Sequence, residues 1–235
     1  MKTDLTNTTF IIHYRKDVPD RAFNLKSIYR FLEENINYKE LIIINDNDQM
    51  DVEMEQFKKL KGNIIPLFFE NTDHFKKSSC FNIAATYATG KVLCFYDVDV
   101  LINPSNLKKA QDQILNLECD HIYPFNGTFF NIKKDFFPRF LETFDFEILL
   151  SNRESEYLEF ASNISPGGCN MISQEAFKRL KGYDESFIGW GFEDTDFQVR
   201  SRKIKLCFIS IQSNIFINPY PIHFFYACPN PIQKF

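Results

Sequence analysis

Residues 92–99 read VLCFYDVD, a run of five apolar residues followed at once by two aspartates that one valine separates. Apolar runs without alternation are typical of strands that a parallel sheet buries on both faces. The preceding part of the chain alternates such runs with segments of helical spacing, which predicts βαβ units with right-handed crossovers. The sequence therefore predicts an α/β fold with a mostly parallel, twisted sheet flanked by helices.

The strand and helix signals are clear in the first hundred or so residues and weaker afterwards. We predict strands at Thr8–Tyr14, Leu41–Ile44, Ile64–Phe69 and Val92–Tyr96, and helices at Arg21–Asn35, Val52–Lys61 and Ser78–Thr89, the last with Ser78 as N-cap. Further helices are predicted at Asn103–Leu117, Phe136–Tyr157 (with breaks), Gln174–Leu180 and about Glu193–Lys203, with one or two strands around the hairpin signal Asn126-Gly127. Ligands of open α/β sheets gather where the strands end, so the residues after each strand are the candidates for a site.

The composition favours a packed enzyme-sized domain over several other classes. The 235 residues, 44% hydrophobic and 25% charged, suffice for one α/β domain, and the 27 phenylalanines favour an aromatic core. A net charge of −4 gives no support for a nucleic-acid partner. The chain begins without the apolar region of a secretion signal and contains no run long enough to span a membrane. We therefore expect a cytoplasmic, reducing environment, with association at a membrane surface left open.

The six cysteines form no CxxC pair. An even number permits disulfides without requiring them. Cys80, Cys94 and Cys207 lie in helix or strand patterns and are interpreted as small buried apolar residues.

The acidic pair Asp97 and Asp99 offers hard oxygen ligands directly after a predicted strand. Such ligands suit Mg²⁺ or Mn²⁺, which in turn binds the phosphate oxygens of a substrate. A DxD sequence by itself is more often a solvated turn. Its position after the fourth predicted strand of an α/β sheet favours the metal site.

The segment GWGFED at 189–194 carries a second candidate site. Acids in the first turn of a helix stabilise the helix dipole, which is the ordinary explanation for Glu193 and Asp194. A helix start, however, needs neither the flanking glycines nor Trp190, the only tryptophan of the chain. A general base on a rigid element, beside an aromatic platform for a sugar, explains the whole segment.

Histidine and basic residues supply further candidates of lower specificity. His223 lies in an apolar context, which usually indicates a structural role, although its neutral imidazole is also able to complete a Mn²⁺ shell. Arg15, Lys76 and Lys77 lie near predicted strand ends or helix starts, where any of them is able to balance a diphosphate. Each of these cations, taken singly, is more often a surface residue.

Together these segments resemble the inverting glycosyltransferases of the GT-A fold. The resemblance is closest to the β-1,4-galactosyltransferase type and its chondroitin-polymerase-like and family 2 relatives, and it runs from about Thr8 to the end of the chain. It is most specific in Gly167–Arg200, which is similar to the family's GG…GYDE…WGWGxED module. The resemblance implies a single GT-A domain over residues 1–235, with a nucleotide-binding half at about 1–102 and an acceptor-binding and catalytic half at about 103–235.

The resemblance also implies a role for each matched residue. Asp194 matches the catalytic base and Glu193 an acceptor-binding acid, while Asp99 and His223 match the ligands of Mn²⁺, for which Mg²⁺ is the alternative. The residues matched to the donor or its nucleotide are Tyr14, Arg15, Asp46, Lys77, Asn82, Asp97, Trp190 and Gly191. The implied reaction moves a hexose or N-acetylhexosamine from a UDP-sugar to a hydroxyl of a glycan or glycoconjugate.

Two departures from the family pattern bear on the metal and the donor. Tyr220 stands where the galactosyltransferases have methionine, three residues before the histidine, which leaves the metal preference open. Ser165 stands where they have a bulky tyrosine, which predicts room for a 2-N-acetyl group and favours UDP-GalNAc or UDP-GlcNAc.

Three other functions fit parts of the sequence. Retaining polypeptide GalNAc-transferases share the GG…WGxE pattern, but they carry Asn where Asp194 stands and DxH in place of DxD. A catalytically silent sugar- or nucleotide-binding subunit would not need to retain both acids, the DVD sequence and the histidine. A nucleotidyltransferase would need a glycine-rich phosphate loop near the N-terminus, and His13–Asp20 contains no glycine.

Overall fold

The computed structural model describes residues 1–17, 19–49, 52–60, 62–71, 74–126, 129–133, 135–149, 158–162, 166–189, 191–208 and 214–216. The described strands are β1 (Thr3–Tyr14), β2 (Ile36–Asn47), β3 (Ile64–Glu70), β4 (Val92–Tyr96), β5 (Val100–Leu101), β6 (His121–Tyr123), β7 (Phe129–Ile132), β8 (Leu158–Ser162), β9 (Cys169–Ser173), β10 (Leu206–Phe208) and β11 (Asn214–Phe216). The described helices are α1 (Pro19–Asn35), α2 (Val52–Lys59), α3 (Lys77–Tyr87), α4 (Pro104–Leu115), α5 (Phe137–Thr143), α6 (Phe146–Leu149), α7 (Gln174–Arg179) and α8 (Glu193–Ser201).

The larger sheet has seven strands in the order β10-β6-β9-β4-β1-β2-β3. Its first four strands along the chain, β1 to β4, run parallel to one another, and β10 runs parallel to β6. Only β9 is reversed among these seven strands, since it pairs antiparallel with both β4 and β6. The prediction of a mostly parallel sheet flanked by helices is therefore confirmed.

Both faces of this sheet are buried, which explains why its strands are continuously apolar. Along β1, Phe10 and Ile12 contact one core while Ile11 contacts the other, because neighbouring side chains of a strand point to opposite faces. The helices α1 and α4 cover the first face and α3, α7 and α8 cover the second. Phe95 of β4 lies at the centre of the second core and contacts four rings, those of Phe81, Phe177, Tyr183 and Phe197.

The predicted hairpin at Asn126-Gly127 is wrong, because the strands on its two sides belong to different sheets. β6 lies in the large sheet, whereas β7 lies in a second sheet with the order β5-β11-β7-β8. The buried rings of Phe125 and Phe129 contact each other, with centroids 5.2 Å apart, where the chain passes between the two sheets. The strands on the two sides are present, as predicted, but each pairs with strands that are distant in the sequence.

Two further local predictions need correction. Helix α3 begins at Lys77 rather than after a capping Ser78, and Lys76 at its cap position makes no side-chain cap hydrogen bond. Cys207 is not a free buried thiol, since it forms a disulfide with Cys119, 88 residues earlier in the chain. The predicted helix start at Asn103 is confirmed, because the Asn103 side chain accepts a hydrogen bond from the Ser105 amide.

Candidate active site

Two pairs of acidic residues meet at the carboxyl edge of the large sheet, around one lysine. Asp97 and Asp99 follow β4, and Glu193 and Asp194 open α8. The Lys77 ammonium at the start of α3 lies 3.0 Å from an oxygen of Asp97, 2.9 Å from Asp194 and 3.5 Å from Glu193. Elements from both halves of the chain are therefore joined by a single buried cation. We call these five residues the acidic cluster.

Gly168, directly before β9, fixes the first aspartate of this cluster. The Asp97 amide donates to the Gly168 carbonyl over 2.8 Å, and the Gly168 amide donates back to the Asp97 carboxylate over 3.2 Å. Gly168 has a φ of +90°, and a Cβ there would lie 3.1 Å from the Phe129 ring. Only glycine fits this backbone without displacing its neighbours. Gly168, the second glycine of the GG sequence, thus orients the Asp97 carboxylate.

The second aspartate, Asp99, is buried beside α1. The Arg21 guanidinium lies 4.0 Å from its carboxylate and 3.5 Å from Asp17. Burial raises the pKa of Asp99 above its ordinary value, and the nearby charge of Asp97 acts in the same direction, against the attraction of Arg21. Arg21 is not among the site residues predicted from the sequence. The available signal was its position in the first helix after β1, four residues after an aspartate.

Burial and neighbouring charges act in opposite directions on the pKa values of Asp194 and Lys77. Burial raises the pKa of Asp194 to about 7, although the charge of Lys77 works against it. Burial also works to lower the pKa of Lys77, but Asp194, Asp97 and Glu193 outweigh it and hold that pKa well above its usual value. Lys77 is therefore a permanent cation, while Asp194 is a carboxylate able to change protonation near neutral pH.

The cluster has the composition of a divalent-metal site. Its four carboxylates, Asp97, Asp99, Glu193 and Asp194, face the two cations Lys77 and Arg21, which leaves a net charge of −2 when every group is ionised. Among the described residues, one buried oxygen of Glu193 has no hydrogen-bond partner. Carboxylate oxygens are the type of ligand that Mg²⁺ and Mn²⁺ prefer. Of the two predicted metal ligands, Asp99 lies in this cluster and His223 lies outside the described residues.

A second polar cluster lies at the ends of β1 and β2. The fully buried Asp46 accepts hydrogen bonds from the His13 ring (3.1 Å), the Asn71 side chain (2.5 Å) and the Lys76 amide (3.1 Å). Arg15, a predicted nucleotide-binding residue, lies 3.7 Å from the same carboxylate. Burial works to raise the pKa of Asp46, but the hydrogen bonds and charge of His13 outweigh it and the pKa is lowered.

Asp46 thus orders its neighbours and presents no exposed carboxylate. It fixes the ring of His13, the start of α3 and the guanidinium of Arg15 at the sheet edge. His13, Asp46 and the Cys80 thiol also bring three ligand atoms within 4.8 Å of one another. This group does not fit a metal ion, because the Asp46 carboxylate is already occupied by N–H donors and burial raises the pKa of the thiol.

Two other predicted donor-binding residues pack against or hydrogen-bond with neighbouring parts of the fold. Tyr14 is fully buried in the core that α1 covers. Asn82 on α3 accepts from the Tyr183 amide and donates to the Tyr183 carbonyl and to Glu185, so it holds the turn of the GYDE sequence against α3. A Cβ on Gly182 would lie 2.3 Å from the Asn82 side chain, which explains the glycine in that turn.

The glycine-flanked loop leads from this turn to α8. Gly189 and Gly191 have φ values of +89° and +101°, with open space where a Cβ would lie. The Gly189 amide donates to the Phe75 carbonyl over 2.8 Å, which attaches the loop near the second polar cluster. Trp190 between the two glycines lies outside the described residues.

The fold and the site define an α/β enzyme whose acidic groups gather at the carboxyl edge of its sheet. A model of the family described as glycosyltransferase like family 2 matches residues 13–220. The chain therefore belongs to this family and is a glycosyltransferase, as the resemblance predicted. No curated protein sequence matches the chain.

Solved structures agree with this assignment at the level of the fold. A variant of Drosophila β-1,4-galactosyltransferase 7, in complex with manganese, UDP-Gal and xylobiose, is 15% identical over 88% of this chain and 67% of its own (TM-score 0.53). The mannosyltransferase PcManGT from Pyrobaculum calidifontis, in complex with GDP-Man and Mn²⁺, is 16% identical over 94% of this chain (TM-score 0.55). The present chain spans 59% of the length of PcManGT.

A nucleotide-activating enzyme shares the same sheet architecture. CMP:2-keto-3-deoxy-manno-octonic acid synthetase, complexed with CTP, is 10% identical over 88% of this chain and 91% of its own (TM-score 0.52). At such identities the likeness shows the fold alone, and fold does not decide function. The family match, not the architecture, separates the glycosyltransferase from the nucleotidyltransferase.

Proposed function

We propose that this glycosyltransferase moves a hexose or N-acetylhexosamine from a UDP-sugar to a hydroxyl of a glycan or glycoconjugate, with inversion at the anomeric carbon. The observation that carries the proposal is the acidic cluster itself. A carboxylate with a pKa of about 7, Asp194, lies on the same lysine as Asp97, the first acid of the DVD sequence. The proposed general base and the proposed diphosphate-binding acid thus both contact the Lys77 side chain.

The reaction follows from the placement of Asp194. Its carboxylate takes the proton of the acceptor hydroxyl while that oxygen bonds to the anomeric carbon and the bond to the UDP oxygen breaks. The electron pair leaves with UDP, and the proton stays on Asp194. One displacement of this kind inverts the configuration, so an α-linked donor yields a β-linked product. Glu193, buried beside Asp194 with one oxygen unpartnered among the described residues, is suited to hold the acceptor.

On the donor side, Lys77 and Arg15 are proposed to face the diphosphate and nucleotide. Tyr14 supports this edge through the core, Asp46 through His13 and the start of α3, and Asn82 through the turn at Tyr183. Trp190 and Gly191 are proposed to close over the donor. Asp99, with Asp97 beside it and His223 as a further ligand, would hold Mn²⁺ or Mg²⁺, which supplies Lewis-acid stabilisation of the departing diphosphate when bound.

We also propose that residues 1–235 act as one GT-A unit with halves that meet near residue 102. The pairing of β4 with β9 supports this, because it joins residues 92–96 to residues 169–173 within one sheet. Among the described residues, no helix is long and apolar enough to cross a bilayer.

The test is UDP release from a panel of UDP-sugars with Mn²⁺, with and without EDTA. We expect EDTA-sensitive turnover of one donor, loss of turnover by at least about 100-fold in Asp194→Asn, and unchanged UDP binding in that variant. Asp112→Asn is the matched control, because Asp112 also pairs with a lysine, Lys108, but on the surface of α4. Product anomericity by NMR separates inversion from retention.

Absence of both turnover and UDP binding in the unmodified protein would contradict the assigned donor. Binding without turnover in any condition would instead favour the silent subunit. A donor screen in which only UDP-Gal is consumed would reject the N-acetyl preference that Ser165, outside the described residues, suggested.

A further inference from the structure

An exposed phenylalanine directly precedes the two acids of α8. Phe192 is 65% exposed, whereas the next residue, Glu193, is buried in the acidic cluster. Ile188, on the other side of the glycine-flanked loop, is 61% exposed. Large, exposed apolar side chains therefore border the described part of the loop on both sides, and Phe192 directly precedes the helix that carries Asp194.

The backbone of Phe192 is unfavourable for the residue that it carries. Its φ is +72° and its ψ is −19°, the left-handed region that a bulky side chain rarely occupies. It also stands at the N-cap of α8, where Ser, Thr, Asp or Asn would accept a hydrogen bond from the helix, and its own side chain makes none. A glycine would remove the strain and a polar residue would cap the helix, so neither local structure nor capping explains an aromatic residue here.

Core packing does not explain Phe192 either. The rings of the neighbouring core, such as Phe197 and Tyr183, stack on one another with centroids 4.1 Å apart and are fully buried. Among the described residues, the Phe192 ring has no aromatic or cationic partner. Its exposed face is therefore available to a ligand beside Asp194, two residues further along the chain.

We propose that Phe192 is a specificity-determining residue that receives the apolar face of the acceptor pyranose. The inference rests on the proposed function, since it assigns the acceptor side of the same site. One face of a pyranose ring is rich in C–H groups, which pack on the face of an aromatic ring while the hydroxyls point sideways. A sugar stacked on Phe192 would present a hydroxyl towards Asp194 and Glu193. The substrate class is therefore a terminal pyranoside, and a linear or strongly anionic acceptor would not gain from this ring.

Leu117 provides a matched control in the same chain. It too has a positive φ, +60°, and it is 84% exposed, but it follows helix α4 at a distance in sequence from every residue of the acidic cluster. Replacement by glycine relieves the same kind of backbone strain at both positions. Phe192→Gly and Leu117→Gly should therefore both keep or raise the Tm, so that a change in acceptor use is not a consequence of unfolding.

The experiment measures transfer to xylobiose, lactose and N,N′-diacetylchitobiose as acceptor probes, with the donor that the unmodified enzyme consumes. We expect Phe192→Gly to raise the acceptor KM by about 10-fold, with a much smaller change in the donor KM. Phe192→Tyr should restore the acceptor KM because it keeps the ring, whereas Phe192→Leu should restore only part of it. Leu117→Gly should behave as the unmodified enzyme.

An unchanged acceptor KM in Phe192→Gly, or an equal change in Leu117→Gly, would overturn the inference. Saturation-transfer NMR of the same saccharides with the same variants keeps this failure separate from failure of the proposed function, because it needs no turnover. Saccharide signals that weaken in Phe192→Gly but not in Leu117→Gly support the stacking role even if no UDP-sugar is consumed. Saccharide signals of equal strength in both, or none with the unmodified protein, would reject it while leaving donor turnover as a separate result.

Discussion

Lys77 joins three of the four acids of the acidic cluster. Its ammonium contacts Asp97, Glu193 and Asp194, whose mutual repulsion would otherwise oppose their burial together. Breaking a buried charge pair by removal of one partner is strongly destabilising, because the remaining charge is left uncompensated. The lysine therefore has a structural effect on the free enzyme in addition to its proposed contact with the donor.

The pH dependence of activity should change when Lys77 is replaced, because its charge acts on the pKa of Asp194. Since Asp194 must be deprotonated to act as a base and burial raises its pKa to about 7, kcat/KM should fall as the pH drops below about 7. Lys77 favours the charged carboxylate, so Lys77→Met should raise the Asp194 pKa and move the acid limb upwards by about 1 pH unit or more, with a lower maximum. The measurement is the pH profile of kcat/KM in both proteins.

Lys108→Met is the control for this profile, because it removes a lysine that pairs with Asp112 on the surface of α4. Its acid limb should coincide with that of the unmodified enzyme. A limb in Lys77→Met that stays in place or moves to lower pH would show that another group controls the profile.

Single residues were predictable where their chemistry is local. Asp97, Asp99, Glu193 and Asp194 were selected from the sequence and do meet in the structure, because a strand end and a helix start place them at one edge. Asp46 was selected for the same reason, yet its carboxylate is filled by donors from His13, Asn71 and Lys76. Donors that come from another strand and another helix leave no local signal, so its burial was not predictable.

At the scale of elements, α8 is held by a buried polar network that no motif indicated. The ring of His121 on β6 contacts the Ser201 hydroxyl (2.7 Å) at the end of α8 and the Asn170 side chain (3.2 Å) on β9. Asn170 in turn donates to the Tyr183 hydroxyl over 2.9 Å. The helix that carries Asp194 is therefore attached at its far end to two strands of the large sheet.

This network makes stability sensitive to acid. Burial lowers the pKa of His121 to about 3, below the 6.5 that applies in the unfolded chain. Between these values the unfolded state binds a proton that the folded state does not. The stability due to neutral His121 is therefore complete above pH 6.5 and is lost as the pH falls towards 3, at up to about 1.4 kcal/mol per pH unit.

Denaturant unfolding of the unmodified protein and of His121→Gln between pH 7 and pH 4 tests this expectation. The variant should be less stable at pH 7 but should lose less stability on acidification, since its side chain does not titrate. The His121 ring signals in NMR provide a second readout, and they should not titrate above pH 4. Equal pH dependence in the two proteins, or a ring that titrates near 6.5, would contradict the assignment.

The elements themselves were predictable to different degrees, for a physical reason. The strands β1 to β4 and the helices between them have continuous or periodic apolar patterns, because both faces of their sheet are buried. Strands such as β6 and β10 have three residues each, too few for a pattern. The reversal of β9 depends on its neighbours β4 and β6, which are distant in sequence, so it was not available from local signals.

At the scale of the whole molecule, the large sheet connects the parts of the chain that carry the two halves of the site. Strand β4 carries Asp97 and Asp99 at its end, and β9 pairs with it along its full length. Strand β10, which follows α8, pairs with β6 at the opposite edge of the same sheet. The helix that carries Asp194, the proposed base, is therefore followed directly by a strand at this edge.

The disulfide between Cys119 and Cys207 links β10 to the residues just before β6 at this edge. It closes a segment with a sequence separation of 88, and cross-links over such distances are typically worth about 2–4 kcal/mol. For a chain of this length, reduction should lower the Tm by roughly 5–15 °C. A Cys119→Ser/Cys207→Ser variant should match the reduced protein and should not respond to a reductant, whereas the unmodified protein should respond fully.

The same measurement bears on the environment of the protein. Disulfides persist in oxidising compartments and are rare where glutathione keeps thiols reduced, so the state of this pair in cells tests the predicted reducing environment. Mass spectrometry of the protein trapped with alkylating reagent directly from its native cells should find Cys119 and Cys207 joined. Two free thiols, with a Tm that a reductant leaves unchanged, would mean that β10 is held by strand pairing alone and that the reducing environment is correct.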